Sequence, residues 1–309
     1  MKIDVRPLPE TDLDAADRIF RLAFGTFLGL PRPAEFAGDA DYVRSRWRAT
    51  PGGSFGAYVD GGLVGSNFAT RWGTFGFFGP LTVRPDLWDR GVARRLLEPT
   101  MAVFDEWRTT HRGLFTFSHS GKHHALYQKF GFYPRFLTPV LGKRVSPGAS
   151  VQGLRRFSQL PESERESALR QCREVSASLY PGLDLTDEIR AIDAGRLGDT
   201  LLLSSGGFAA CHVGKGSEAG TGGCYVKFGA VARGKAAERD FAELLDACEA
   251  FAAVSRARHL VVGVNLAREG AYRAITRRGF RADLVGVAMQ SGNEPAFNTP
   301  DVWAIDDWR

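Results

Sequence analysis

Apolar and polar residues alternate in short runs through the first quarter of the chain, and this period of two predicts strands. Where apolar residues instead recur every three to four positions, the pattern predicts helices. The turn Asp60-Gly61-Gly62 between two alternating runs predicts a hairpin. The predicted elements are, in order, a strand over 2–7, a helix over 11–24, a helix over 39–48, paired strands over 54–59 and 63–72, and a strand over 74–83.

That last strand leads into a turn and then a helix. The strand stops at Pro85, and a helical rhythm begins after Gly91 with Leu96, Leu97 and Phe104 on one face. The first N–H groups of a helix have no intrahelical partner and lie at the positive end of its dipole, so they form a site for a phosphate. Gly91 and Ala93 keep bulky side chains away from this backbone. Basic charge is supplied nearby by Arg90, Arg94 and Arg95.

The run V-x-P-x-x-W-x-x-G-x-A over 83–93 resembles the acyl-CoA signature of the GNAT acetyltransferase superfamily. That signature ends in Gln/Arg-x-x-Gly-x-Gly/Ala, and Trp88 stands where the family usually has the first polar residue. The alternative is a close-packed turn between a strand and a helix that has only a structural role. The resemblance implies that acetyl-CoA, or another acyl-CoA, binds along Leu81, Thr82, Val83, Asp89, Arg90, Gly91, Val92, Ala93 and Arg94.

A second run, H-H-A-L-Y-Q-K-F-G-F over 123–132, resembles the second GNAT signature A-x-x-L-Y-x-x-x-G-F, with His123 at the alanine position. The resemblance implies that the pantetheine arm pairs with a free strand edge at 81–83. It also implies that Tyr127 protonates the departing thiolate. A phenol, with a pKa near 10, is able to donate that proton over hydrogen-bond distance. The alternative is a tyrosine that only packs in the core.

The general base is less defined, because the strand over 74–83 contains no Asp, Glu or His. His119 follows the next strand and is the candidate for accepting the amine proton, with a water relay as the alternative. His119 and His123 are four residues apart, which is a metal-like spacing. Ser120 replaces the Glu of an H-E-x-x-H motif, so no metal site is expected.

The second half repeats the first at a spacing of 148 residues. Under this shift Val83 falls on Val231 and Gly131 on Gly279. A repeat of this length indicates duplication of a whole domain. The predicted elements are helices over 162–179, 237–256 and 269–278, and strands over 200–204, 208–213, 224–231, 259–264 and from 280. The glycine-rich stretch over 214–223 is predicted to connect two strands of a hairpin.

The same shift shows what the second copy lacks. Pro85 falls on Arg233, Gly91 on Arg239, Ala93 on Phe241 and Tyr127 on Ile275. Glu238 and Asp240 would repel a diphosphate. These changes predict a degenerate domain, although the turn over 233–236 leaves open phosphate binding in a shifted register. The tail over 301–309 is either a last strand of the second sheet or a segment that docks over the first domain.

Length and composition agree with two soluble domains. The chain has 309 residues, 44% hydrophobic and 24% charged. The net charge of +5 comes without a nucleic-acid-reading motif, so no nucleic-acid partner is expected. No apolar run reaches the ~18–20 residues of a membrane span, so no membrane association is expected. Four cysteines without C-x-x-C spacing predict reduced thiols and a cytoplasmic protein.

The fold class expected is α/β (α+β), with two tandem GNAT-like domains, each a mixed, mostly antiparallel sheet flanked by helices. Domain boundaries are predicted at 1–145 and 150–309, with a linker within 142–151. The resemblance implies transfer of an acyl group, acetyl in the first instance, from acyl-CoA to the amine of a small molecule. The alternatives are a non-catalytic CoA-binding or partner-binding module and a protein lysine acetyltransferase. The sequence does not indicate the oligomeric state.

Overall fold

A computed structural model describes residues 1–146, 148 and 154–309, and these residues form one continuous mixed sheet covered by helices. The strands are β1 (Asp4–Pro7), β2 (Ser54–Val59), β3 (Gly62–Trp72), β4 (Phe75–Phe78), β5 (Thr82–Val83), β6 (His111–Phe117), β7 (Phe132–Arg144), β8 (Arg155–Arg156), β9 (Gly198–Leu202), β10 (Phe208–Gly214), β11 (Gly220–Ala230), β12 (His259–Gly263), β13 (Arg281–Ser291) and β14 (Ala304–Ile305). The α-helices are α1 (Leu13–Phe27), α2 (Val43–Ala49), α3 (Val92–Glu106), α4 (Gly121–Gln128), α5 (Glu162–Leu179), α6 (Thr186–Gly195), α7 (Ala237–Val254) and α8 (Glu269–Arg277).

The two halves exchange strands at the centre of the sheet. The sheet order runs β1-β2-β3-β4-β6-β13-β7-β12-β11-β10-β9-β8. Strand β13 of the second half therefore lies between β6 and β7 of the first, and β7 lies between β13 and β12. All these contacts are antiparallel. The exchange joins the halves through backbone hydrogen bonds and not only through side-chain packing.

The structure confirms the 148-residue repeat at the level of elements. Strand β12 begins 148 residues after β6, and helix α8 begins 148 residues after α4. Gly131 and Gly279 follow these helices with φ of 81° and 87°, the left-handed conformation that glycine adopts at helix ends. The GNAT-type fold predicted from the sequence is therefore present, and the predicted fold class is correct.

Several boundaries differ from the sequence prediction. The strand predicted over 74–83 is divided into β4 and β5. Gly142–Arg144, predicted as linker, belongs to β7 and pairs with Val261–His259 of β12, because the exchange extends that strand. Helix α6 was not predicted. Residues 147 and 149–153 of the predicted linker lie outside the described residues, and the boundary between 145 and 150 stays a prediction.

Four apolar cores lie along the described part of the sheet, and the smallest packs α1 and α2 onto Phe68 of β3. One, beneath α3 and α4, contains Phe78, Leu96 and Tyr127 of the first half. A second, beneath α7 and α8, belongs to the second half. The third lies at the junction, where Trp308 of the C-terminal tail packs 4.9 Å, between ring centroids, from Phe75. Both alternatives for the tail are correct: β14 joins the second sheet by pairing with β11, and the residues after it reach the first half.

Candidate functional site

The central feature of the first half is an opening between two strands. Strand β4 pairs in parallel with β6 as far as Phe78 and Leu114. After the Gly79-Pro80 step the chain continues as β5, which pairs only with β3, through Thr82–Ser66 and Val83–Gly65. The other edge of β5 is therefore left facing the gap towards β6. An unpaired strand edge exposes N–H and C=O groups that an extended ligand is able to pair with.

At the end of this gap, helix α3 begins with a bare N-terminus. Gly91 adopts φ of 81°, and a Cβ added there would meet no atom within 4 Å. In the described structure the backbone N–H groups of Val92, Ala93 and Arg94 have no protein acceptor, and the first turn carries no acidic residue. Three consecutive free N–H groups at a helix N-terminus fit a diphosphate.

Trp88, which departs from the GNAT signature, makes a structural hydrogen bond. Its indole Nε1 donates a hydrogen bond of 2.8 Å to the carbonyl oxygen of Val83. This bond ties the end of β5 to the turn that precedes α3. Close by, the Lys122 ammonium lies 2.5 Å from the Asp89 carboxylate and 5.9 Å from the Trp88 ring centroid. Lys122 therefore offsets Asp89, the only carboxylate among the described residues that line this cavity.

The strand edge, the helix N-terminus and the second motif surround one cavity of about 600 Å³. It brings together the predicted residues Leu81, Thr82, Val83, Asp89, Gly91, Val92, Ala93, Arg94 and Tyr127. Two predicted residues, Arg90 and His119, do not line it. The sequence pattern gave no signal for Phe117, Lys122 and Lys129, which do; their places depend on how β6 and α4 pack.

Tyr127 lies on α4 and is 7% exposed. Its ring packs edge-on against Phe78, with 5.7 Å between centroids. Burial raises the pKa of the Tyr127 phenol above its ordinary value, and the hydroxyl of Thr116 opposes the shift only in part. A phenol with a raised pKa keeps its proton at neutral pH, which is the state that a proton donor needs.

The two histidines near Tyr127 differ in their surroundings. His119 is exposed, and its ring stacks on Phe27 at 5.8 Å between centroids. His123 is half-buried and lines the cavity, with its ring 5.0 Å from Phe27 and 6.4 Å from Tyr127. Burial, followed by the charge of Lys122, lowers the pKa of His123 below its ordinary value of 6.5.

The corresponding place in the second half is filled by protein. Gly229 and Ala230, at the positions of Leu81 and Thr82, pair with β10 on one edge and with β14 on the other. Val231 adds a hydrogen bond of 3.3 Å to the carbonyl of Trp303. The tail thus occupies the edge that is free in the first half. Helix α7 also begins earlier, at Ala237, and carries Glu238 and Asp240 in its first turn.

A cluster of buried charges connects the second half to the end of β4. The Arg46 guanidinium donates to both carboxylate oxygens of Glu218, at 3.1 and 3.0 Å, and to the carbonyl of Gly79 at 2.6 Å. The Lys227 ammonium lies 2.8 Å from Glu218 and 2.9 Å from Glu188. All four charged side chains are almost fully buried. No sequence signal indicated this cluster.

The described residues contain no group of three or more metal-ligating side chains placed to hold an ion. None of the helices in the same part of the chain combines the length and the apolar composition needed to cross a membrane.

Comparisons with known proteins agree with this geometry. Residues 16–132 match the model of the Acetyltransferase (GNAT) family. A proposed acetyltransferase from Pyrococcus horikoshii is 16% identical, with a TM-score of 0.72 over 99% of this chain and 95% of that one. A GCN5-related N-acetyltransferase from Sphaerobacter thermophilus is 15% identical, with a TM-score of 0.62 over 94% and 95%. No curated protein matches the sequence.

The fold along the chain is therefore the tandem GNAT-type fold of these structures, with one half that keeps an open strand edge and one half in which that edge is covered. Residues 16–132, which include the open strand edge, match the GNAT acetyltransferase family.

Proposed function

We propose that the protein transfers an acetyl group from acetyl-CoA to the amine of a small molecule, and that only the first half does so. The observation that carries the proposal is the joint placement of three features in one cavity: the free edge of β5, the bare N-terminus of α3 and the buried phenol of Tyr127. Buried free cysteines support a cytoplasmic location.

Each part of acetyl-CoA has a counterpart in this cavity. The diphosphate would accept hydrogen bonds from the N–H groups over 92–94, with Lys129 adding positive charge. The pantetheine arm would pair with the edge of β5 as an added strand. The acetyl group would then lie near Tyr127. In the second half, β14 already holds the equivalent edge, so we expect one CoA per chain.

In the proposed reaction the neutral amine attacks the thioester carbonyl, and backbone N–H groups near Leu81 stabilise the oxyanion. As the carbon–sulfur bond breaks, Tyr127 gives its phenol proton to the thiolate. His119 was the residue predicted to remove the amine proton, and its role stays a prediction that a variant is able to test.

Tyr127→Phe tests the proposal, because it removes the proton donor and keeps the ring. We expect kcat to fall by about 10²-fold or more, the usual range for general acid catalysis, while the CoA Kd changes less than about twofold. Thiol release and calorimetric titration measure the two quantities. Tyr272→Phe, on the corresponding helix α8, is the matched control and should leave both unchanged.

Three results would contradict the proposal. CoA binding without transfer to any amine would favour the binding-module alternative. Transfer to lysines of proteins but to no small amine would favour the lysine acetyltransferase alternative. Equal losses of kcat in Tyr127→Phe and Tyr272→Phe would argue against a single active half.

A further inference from the structure

One wall of the cavity differs in chemistry from the strand edge and the helix N-terminus. This wall is formed by Phe24 and Phe27 of α1, Phe117 of β6 and His123 of α4. Phe27 is at its centre, with its ring 4.8 Å from Phe117 and 5.0 Å from His123 between centroids. Three phenyl rings beside one imidazole leave few hydrogen-bonding groups for a polar acceptor, but they form a surface for an apolar one.

Within this wall, His123 has a ring nitrogen without a partner. Its Nδ1 is buried and makes no hydrogen bond in the described structure. A buried polar atom without a partner is uncommon in proteins and calls for an explanation, such as a ligand that supplies the missing bond. By contrast, the neighbouring His124 has a partner, because its Nε2 lies 3.2 Å from the carbonyl of Phe117.

We propose, on the basis of the function proposed above, that His123 is the residue that accepts the proton of the acceptor amine, and that this amine is carried on an apolar, ring-sized body held by Phe24, Phe27 and Phe117. The position of His123 between Phe27 and Tyr127 places it beside both the acceptor wall and the proton donor. His119, which does not line the cavity, is the rival.

The proton balance is complete. The acceptor enters as an ammonium ion, and His123 takes one proton and later releases it to solvent. The resulting amine forms a bond to the carbonyl carbon, and the carbon–sulfur bond breaks. Tyr127 protonates the thiolate and regains a proton from the new amide nitrogen. The net products are the N-acetyl compound, free CoA and one proton.

The groups around His123 favour the neutral, proton-accepting imidazole. On its own helix these are Lys122, His124 and Tyr127, and from the preceding turn His119. The Lys122 charge is partly offset by Asp89 of the phosphate turn, and α1 contributes the apolar ring of Phe27. The lowered pKa of His123 means that most of the protein carries the base form at neutral pH.

The test uses two acceptors on the full chain with acetyl-CoA: phenethylamine, which is protonated at pH 7, and phenylhydrazine, which is largely not. A general base is needed for the first and much less for the second. We expect His123→Gln to lower kcat/KM for phenethylamine by about 10²-fold and for phenylhydrazine by less than about tenfold. The CoA Kd and thermal unfolding should remain those of the wild type.

His259→Gln, on the exposed surface of β12, is the matched control and should keep wild-type rates. His119→Gln tests the rival base and should lose less activity than His123→Gln. The apolar wall is tested by ethylamine, which we expect to react at least about tenfold more slowly than phenethylamine, and by Phe27→Ala, which should remove most of that difference. Imidazole added to His123→Ala should restore part of the rate.

Several results would overturn the inference while leaving the proposed function in place. These are an active wild type with His123→Gln within about threefold of it, a larger loss in His119→Gln, or equal losses for both nucleophiles. A second variant, His123→Asn, covers the case in which the glutamine variant fails to fold. A wild-type chain that binds CoA and acetylates no amine would instead overturn the proposed function together with this inference.

Discussion

Removing the carboxylate of Glu218 would leave a positive charge without an anion in the interior. The side chains of Arg46 and Glu218 are 1% and 0% exposed, and Lys227 contacts both Glu218 and Glu188. With Glu218 present, two cations face two anions. In Glu218→Ala, Arg46 keeps only carbonyl partners, including Gly79, and one cation is left uncompensated.

The expected cost is large because neither solvent nor counter-ions reach the site. Breaking one partner of a buried ion pair destabilises proteins by about 3–5 kcal/mol. The unfolding entropy scales with chain length, so for a chain of this size that cost lowers Tm by roughly 5–8 °C if unfolding is cooperative. Glu218→Gln, which keeps the volume and removes the charge, should show most of the same loss.

Urea denaturation and thermal unfolding measure the change. Glu166→Ala is the control, since its pair with Arg190 is mostly exposed and should contribute within about 1 kcal/mol. If Glu218→Gln lies within about 1 kcal/mol of the wild type, or if Glu166→Ala costs as much, the reasoning from buried charge is wrong.

The same cluster predicts how the stability of the folded state changes with pH. Burial alone would raise the pKa of Glu188, but the Lys227 charge and the hydrogen bond and charge of His212 together outweigh it and lower the pKa from 4.5 to about 2. A carboxyl whose pKa is lower in the folded state stabilises that state fully above the unfolded value. This contribution is therefore complete above about pH 4.5 and is lost as the pH falls towards 2.

Two further predictions concern the cofactor site and the junction between the halves. Gly91→Val places a β-branched side chain at positive φ and in the space assigned to the diphosphate, so calorimetry should show the CoA Kd rising by at least about tenfold. Gly234→Val, in the corresponding turn of the second half, should leave the CoA Kd unchanged. Equal effects of the two variants would contradict the proposal of one CoA site. Burial lowers the pKa of His111 from 6.5 to about 4, so the unfolded chain binds a proton first and stability falls as the pH drops from 6.5 to 4. In urea titrations at pH 7 and pH 4.5, His111→Gln should remove roughly 2–3 kcal/mol of this loss, and an unchanged pH dependence would refute the assignment.

Local patterns predicted the elements of the site well. Alternation indicated β2 and β3, and the glycine and bare backbone around Gly91 indicated the N-terminus of α3. These features depend on interactions between neighbours in sequence, such as hydrogen-bond periodicity and backbone freedom at glycine. The 148-residue repeat was visible for the same reason, because each copy keeps the residues that its own turns require.

Local sequence patterns did not indicate in the same way which histidine lies at the cavity. Sequence order favoured His119 because it follows β6 and is the nearest titratable candidate, given that the strand over 74–83 has no Asp, Glu or His. The packing of α4 against α1 instead brings His123 to the cavity and leaves His119 exposed. Which side of a short helix faces a cavity depends on the neighbouring element. Helix α4 has little amphipathic pattern, so its sequence does not indicate which side faces the cavity. Tyr127 is the one residue of this helix that is buried.

By itself, the sequence determined that this chain is built from two copies of one α/β unit and that only the first retains the backbone for a diphosphate and a tyrosine beside it. The tertiary structure decided that the halves exchange β7 and β13, that Arg46 meets Glu218 from 172 positions away, and that β14 covers the strand edge of the second half. The sequences of these segments do not indicate that the segments contact each other, since any strand edge is able to accept any extended backbone. Their choice rests on which pairing buries the most apolar surface and neutralises the most charge in the folded chain.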